Sequence, residues 1–264
     1  MELEVKTINA QQNGSVAENS EREPAVQWAL ASLALSMLLS SLGTSIANVA
    51  LPNLAQTFNA SFQEVQWIVI AYLLAITTLI VSAGRLGDIL GRRRLLLGGI
   101  SLFTLASALC TIAPTLWLLI ASRAIQGLGA AIMMALTMAF VSETVPKTKT
   151  GSAIGLLGTM SAIGTALGPS LGGLLIAGLS WRAIFFINLP LGVLTLFLAH
   201  RYLPDDQKKP KAEPAGFDYA GTLVLALTLA AYALAMTIGR GSFGPINMAL
   251  LLAAFFGVGI FMLA

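Results

Sequence analysis

Arg123 is the residue of this sequence on which chemistry could turn. It lies inside an apolar run that begins at Leu116, and a helix rising 1.5 Å per residue carries it about 10 Å into that run. A charge at such a depth costs about 2.5 to 3.5 kcal/mol. A guanidinium kept there either braces helices through backbone carbonyls or helps to move a proton or a substrate, and both readings stay open. Candidate partners are the amides of Gln126, one turn further on, and Asn48, near the end of another apolar run. No carboxylate falls well inside any apolar run, because Glu64, Asp88, Glu143 and Asp218 stand at ends or in connections. The single histidine, His200, lacks the Cys or acidic neighbours of a metal site. Cys110 is the single cysteine, so neither an internal disulfide nor a CxxC pair can form. Gly127-x-Gly129 imitates part of a dinucleotide fingerprint but lacks its third glycine and βαβ setting, and no Gly-x4-Gly-Lys-Ser/Thr loop is present. The residues therefore predict no catalytic group, no cofactor, no metal and no enzyme activity.

The elements that must position Arg123 are membrane helices. With 56% hydrophobic and 10% charged residues and a mean hydropathy of +0.82, the chain has too little polar surface for a water-soluble domain. Apolar runs occupy 25–49, 65–82, 95–112, 116–141, 152–179, 183–199, 219–238 and 246–264. Most approach the roughly 20 residues a helix needs to cross hydrocarbon, and the alternating pattern of a membrane barrel is absent. The expected fold is an all-α membrane protein: a disordered cytoplasmic tail at 1–24, six helices at 25–200, a cytoplasmic loop at 201–218, and two more membrane helices at 219–264.

Charge sets the orientation. Arg85, Arg92, Arg93 and Arg94, then Lys147 and Lys149, then Arg201, Lys208, Lys209 and Lys211 follow alternate runs, whereas Arg182 and Arg240 lie on the opposite side. The positive-inside rule puts both termini in the cytoplasm of a multi-pass cell-membrane protein. The pI of about 9.2 then reports orientation and requires no nucleic-acid partner.

Three clusters carry more than orientation. Gly84-Arg85-Leu86-Gly87-Asp88-Ile89-Leu90-Gly91-Arg92-Arg93-Arg94 joins the second and third runs. Its glycines permit a tight turn, and Asp88 can pair with arginines to lock or release it. This cluster resembles the loop motif between helices two and three of the major facilitator superfamily, with Ile89 in place of the usual cation. Leu119-x3-Arg123-x2-Gln126-Gly127-x-Gly129-Ala130-Ala131 resembles that superfamily's helix-four motif. In the fifth run, Gly155, Gly164, Gly168, Pro169, Gly172 and Gly173 resemble the antiporter motif of its exporters. Gly164, Gly168 and Gly172 recur every four residues, a smooth stripe on which another helix backbone can close.

Asn48-Val49-Ala50-Leu51-Pro52, Trp181-Arg182-x2-Phe185-Phe186-Ile187-Asn188-Leu189-Pro190-Leu191-Gly192 and Phe217-Asp218-Tyr219-x-Gly221 are similar to the fourteen-span drug:proton antiporter branch. The resemblance implies an N-terminal six-helix bundle of two inverted three-helix repeats, followed by two linker helices, with a C-terminal half absent from this chain. It also implies alternating-access efflux of amphipathic small molecules against protons, with membrane lipids as surroundings. That branch usually carries an aspartate in its first helix, and the matching position here is Gly43. A metabolite exporter or uniporter on the same scaffold, or a non-transporting fragment, are the alternatives. Trp67, Tyr72, Met133, Met134, Met138 and Met160 could line an adaptable cavity or serve packing.

Overall fold

The computed structural model describes residues 2–206, 219–238 and 244–263. Among them every regular element is helical: α1 Glu2–Phe58, α2 Phe62–Leu90, α3 Arg92–Ile112, α4 Leu116–Thr144, α5 Thr150–Gly178, α6 Ala183–Phe186, α7 Asn188–Tyr202, α8 Tyr219–Ile238 and α9 Pro245–Leu263. Six segments are long and apolar enough to cross a membrane: Val26–Phe58, Phe62–Leu90, Arg92–Ile112, Leu116–Thr144, Lys147–Gly178 and Ala183–Tyr202. The sixth is broken between α6 and α7. Pro190, in the first turn of α7, has no N–H to offer the Phe186 carbonyl. The backbone nevertheless stays helical through Ile187 (φ −60°, ψ −26°).

Helix ends explain where the chain turns. Ser61 and Glu64 form a reciprocal capping box at the start of α2: the Ser61 N–H donates to Glu64 Oε2 at 2.7 Å and the Glu64 N–H to Ser61 Oγ at 3.3 Å. Thr115 Oγ1 accepts from the Leu118 N–H at the start of α4. The segment 84–95, expected as a loop, is instead mostly helix. α2 runs on to Leu90, α3 begins at Arg92, and Gly91 alone makes the turn at φ +96°. The tail expected to be disordered is likewise helical in backbone, since α1 extends back to Glu2. Its Glu, Gln, Ala, Lys and Arg residues are good helix formers, and propagation from an existing helix avoids the cost of nucleation. Residues 207–218, the rest of the expected cytoplasmic loop, and Arg240 lie outside the described residues.

The packing of the six spans has an internal symmetry. α1 lies against α5, α2 against α4, α3 against α4, α1 against α7, and α3 against α7. Exchanging the first three spans with the last three maps each of these contacts onto another or onto itself, as two inverted repeats require. α1 and α4 are the covered members, with 67% and 61% of their apolar windows buried, while α2 and α5 reach only 28% and 17%. α8 and α9 form an apolar hairpin whose α8 touches α2.

Glycines set the closest approaches. A methyl group built on Gly164 would stand 2.6 Å from the Leu38 carbonyl oxygen. One on Gly168 would meet the Ser45 side chain and lie 2.9 Å from the Ile46 nitrogen, and one on Gly172 would lie 3.0 Å from Ile46 Cγ1. The four-residue stripe of α5 therefore rests on the backbone of α1. Ser45 Oγ donates to the Gly164 carbonyl at 3.1 Å, and Ser41 and Ser161 share a hydroxyl hydrogen bond at 2.7 Å across the same seam. Gly155 and Gly173 take no part, because a methyl group on either meets nothing within 4 Å. Pro169 faces away from the seam and is exposed. Gly168→Leu should accordingly destabilise the bundle by about 1 to 3 kcal/mol through overpacking, whereas Gly155→Leu and Gly173→Leu should leave the thermal midpoint in detergent close to the parent's. Equal midpoints for all three would remove the seam.

Candidate functional site

Arg123 is 0% exposed and held by three helices. Its Nε donates to the Ile68 carbonyl of α2 at 3.1 Å, Nη2 to the Gly43 carbonyl of α1 at 3.0 Å, and Nη1 to Gln126 Oε1 on its own helix at 2.6 Å. The Tyr72 ring lies under the guanidinium, 3.9 Å from its carbon to the ring centre, and Phe185 lies at 5.9 Å. Gln126 passes the contact on: its Nε2 donates to Ser107 Oγ at 2.6 Å, and Ser107 donates to the Phe103 carbonyl at 2.7 Å. The charge is thus solvated by neutral dipoles and aromatic faces, with no carboxylate in this set. α4 can come close enough because of its own glycines. A methyl group on Gly127 would stand 2.5 Å from the Tyr72 carbonyl oxygen, and one on Gly129 2.7 Å from the Phe103 nitrogen.

Of the amides suggested for Arg123, Gln126 is in place and Asn48 is not. Asn48 is exposed and its Nδ2 donates to the Thr44 carbonyl of its own helix at 3.4 Å. Geometry explains the miss: Gly43 offers Arg123 a backbone carbonyl, and Asn48 is more than one turn further along α1. Tyr72 and Met133, both fully buried, are packing residues here; Tyr72 also donates its hydroxyl to the Ser40 carbonyl at 2.8 Å. A methyl group at Gly43 would lie 3.1 Å from the Tyr72 hydroxyl and 3.4 Å from the Phe103 ring. A side chain there would press directly on the floor of the Arg123 site.

At the arginine-rich end of the bundle, the α2–α3 corner divides its work among different residues. Asp88 Oδ1 accepts from Arg92 Nη2 at 2.8 Å and Nε at 3.0 Å, and Arg92 Nη1 reaches Glu143 Oε1 of α4 at 2.8 Å. Arg92 therefore ties α2, α3 and α4 together. Gly87 allows α2 to approach α4, since a methyl group on it would lie 2.6 Å from Leu136 Cδ2; Gly84 has open space around it. Arg93 turns the other way, pairing with Asp205 and with the His200 carbonyl at the end of the sixth span. Asp206 completes the corner. Its Oδ1 accepts from the Arg93 N–H at 2.8 Å and its Oδ2 from the Arg94 N–H at 3.3 Å. Gly91, the N-cap of α3, has no side chain to supply such a bond, so a carboxylate more than a hundred residues away caps the helix.

Sequence reasoning did not find Glu143, Asp205 or Asp206. The one local signal was a pair of acids in an otherwise basic stretch. The corner depends on Gly91 twice over: its φ of +96° strains any other residue, and a Cβ there would run into the Asp206 carboxylate. Gly91→Ala should cost about 1 to 3 kcal/mol from backbone strain alone, and Asp206→Ala about 1 kcal/mol from the lost cap. Gly84→Ala should be near neutral. Thermal unfolding of the solubilised chain separates these outcomes, and a Gly91→Ala protein as stable as the parent would refute the capped corner.

Residues 33–264 match the Major Facilitator Superfamily. Among curated relatives, riboflavin transporter RibZ of Clostridioides difficile is 36% identical over 208 residues, covering 77% of this chain and 44% of the relative. Multidrug resistance protein Stp of Mycobacterium tuberculosis is 39% identical over 206 residues, covering 78% and 38%. Putative multidrug resistance protein MdtD of Escherichia coli is 33% identical over 228 residues, covering 86% and 48%. The chain spans less than half the length of each. Among solved structures, the inward-facing, occupied form of a bacterial homolog to the human lysosomal transporter Spinster superposes with a TM-score of 0.61 at 18% identity, over 90% of this chain and 60% of that one. The human organic anion transporter MFSD10 gives 0.60 at 18% identity, over 85% and 59%. The six-span bundle around Arg123, with its glycine seam and its capped, arginine-rich corner, belongs to the Major Facilitator Superfamily.

Proposed function

We propose that this chain is the N-terminal part of a secondary active exporter of amphipathic small molecules, working by alternating access in the cell membrane with both termini cytoplasmic. Arg123 carries the reading. A guanidinium fully desolvated among neutral partners is costly, and a bundle that needed only a brace could use an uncharged amide. Relatives named for multidrug resistance support efflux as the direction. α8 and α9 fit the pair of linker helices found in the fourteen-span branch, and the sparsely covered α2 and α5 are the faces a second bundle would meet. In this reading Arg123 and Gln126 lie on the proton or substrate path, the Gly84–Arg94 corner gates it, and the α5 seam is the sliding surface.

Gly43 favours a second reading. Where the branch places a carboxylate this chain has none, so proton coupling would rest on acids in another part of the transporter, or be missing as in a metabolite exporter or uniporter. The relative named for riboflavin transport fits that version equally well.

Arg123→Ala should abolish transport at unchanged membrane insertion. Gly43→Asp should place a carboxylate beside Arg123 and steepen the dependence of transport on an imposed proton gradient in vesicles. Normal transport by Arg123→Ala would reduce the residue to a brace and remove the coupling role. At the corner, Asp88→Asn should slow transport more than Arg94→Gln, because Asp88 holds Arg92 whereas Arg94 contributes its backbone N–H to Asp206. Equal, negligible effects would leave the arginines with orientation alone.

A further inference from the structure

Asn188 is 0% exposed, and both its amide nitrogen and its amide oxygen lack a hydrogen-bond partner among the described residues. Such a group is expensive. An amide buried without partners loses the hydrogen bonds it made to water, and a hydrocarbon side chain of the same size would carry no such cost. Its place in the fold connects it to the Arg123 site. Three residues before Asn188, Phe185 stands 5.9 Å from the Arg123 guanidinium. Four residues after it, Gly192 packs so closely on Thr104 of α3 that a methyl group there would lie 3.1 Å from Thr104 Cβ. Residues spaced by three and four share one helix face, so Asn188 lies between these two contacts.

α3 and α7 belong to the third and sixth spans, one odd and one even, and run antiparallel. One turn back along α7 from Gly192 therefore matches one turn forward along α3 from Thr104, which is the level of Ser107. Ser107 ends the chain of side chains from Arg123 through Gln126. That chain has capacity left. A guanidinium has five N–H donors, and Arg123 spends three of them on Ile68, Gln126 and Gly43. A buried water makes about three hydrogen bonds to polar groups that otherwise have none, and the Asn188 amide offers two donors and an acceptor in the same layer.

We propose that Asn188 anchors a buried water site that joins it to the Ser107–Gln126–Arg123 chain, so that the charge of Arg123 is screened by a hydrated, carboxylate-free polar layer extending from α4 through α3 to α7. Asn188 acts as a positioning residue, fixing the water that in turn fixes Gln126 and Arg123. The site requires only that water be bound and holds whatever the chain transports.

Radiolytic hydroxyl labelling of the full chain in detergent with H2(18)O, read by mass spectrometry, tests it directly, because a bound water generates radicals where bulk solvent cannot reach. Oxygen-18 should appear on Phe185 and Phe103, both buried at 0%. It should fall several-fold in Asn188→Leu, with a lower thermal midpoint, and recover in part in Asn188→Ser, which keeps a polar group and leaves room. Absence of label on both phenylalanines in the parent overturns the proposal without any variant. Label that persists unchanged in Asn188→Leu, or an Asn188→Leu protein more stable than the parent, overturns it too, the latter being the result an unpartnered amide would give.

Discussion

A guanidinium shut off from bulk solvent, with no carboxylate among its partners, must draw on the backbone for hydrogen bonds, and that requirement organises this bundle. Backbone carbonyls in a helix are normally spent on the i+4 amide, so each one lent to Arg123 must accept a second hydrogen bond on its other lone pair. Gly43 and Ile68 do so from two different helices. The three spans α1, α2 and α4 are thereby fixed relative to one another at one depth. Tyr72 adds its ring face, a contact worth up to about 2 kcal/mol when desolvated, and secures itself by donating to Ser40 on α1. A network of neutral partners replaces one ion pair, and it extends over more helices than an ion pair would.

Close backbone approach makes that network possible. In lipid no hydrophobic force drives helices together, and small residues bring backbones near enough for dispersion and weak polar contacts to accumulate. Gly127 and Gly129 bring α4 against α2 and α3, and Gly164 and Gly168 bring α5 against α1. The repeat symmetry relates the α2–α4 seam to the α1–α5 seam. Both seams are built on glycine, yet only one contains a charge. Serines serve the other: Ser45 donates to the Gly164 carbonyl, and Ser41 shares a hydroxyl hydrogen bond with Ser161.

Sequence was informative where a property is local. Length and hydropathy marked the helices, and the depth of Arg123 followed from counting along α4. The four-residue spacing of Gly164, Gly168 and Gly172 marked a seam, though not the open surroundings of Gly155 and Gly173, because a motif does not say which of its glycines face a neighbour. Charge content around 84–95 suggested a loop where helices continue to within one residue of each other. Helices continue past the end of an apolar run, and composition marks the apolar boundary rather than the helix boundary. Asp206 was out of reach because its role depends on Gly91 lacking a side chain and on α7 ending beside α3, a tertiary fact. Asn48 misled for the converse reason: its chemistry suited Arg123, but its position on α1 does not.

The contacts of α1 with α4 and with α5 have different mechanical character. At the α1–α4 contact, Arg123 holds α1 through a directional bond to Gly43, and sliding one helix past the other by a turn would strip a buried charge of one of its three hydrogen-bond acceptors. At the α1–α5 contact, the glycine stripe repeats every four residues and presents nearly the same smooth surface one turn later, with Ser45–Gly164 and Ser41–Ser161 as exchangeable hydroxyl bonds. Displacement there exchanges like for like, whereas displacement at Arg123 leaves a charge short of an acceptor. Motion within this bundle is therefore cheaper along α5 than along α4, and the α2–α3 corner reinforces the difference. Arg92 binds α4 to α2 and α3 through Glu143 and Asp88, while Asp206 and Asp205 bind the sixth span to α3. Among the described residues α5 shares in none of these polar ties and is held to α1 by packing and two hydroxyl hydrogen bonds.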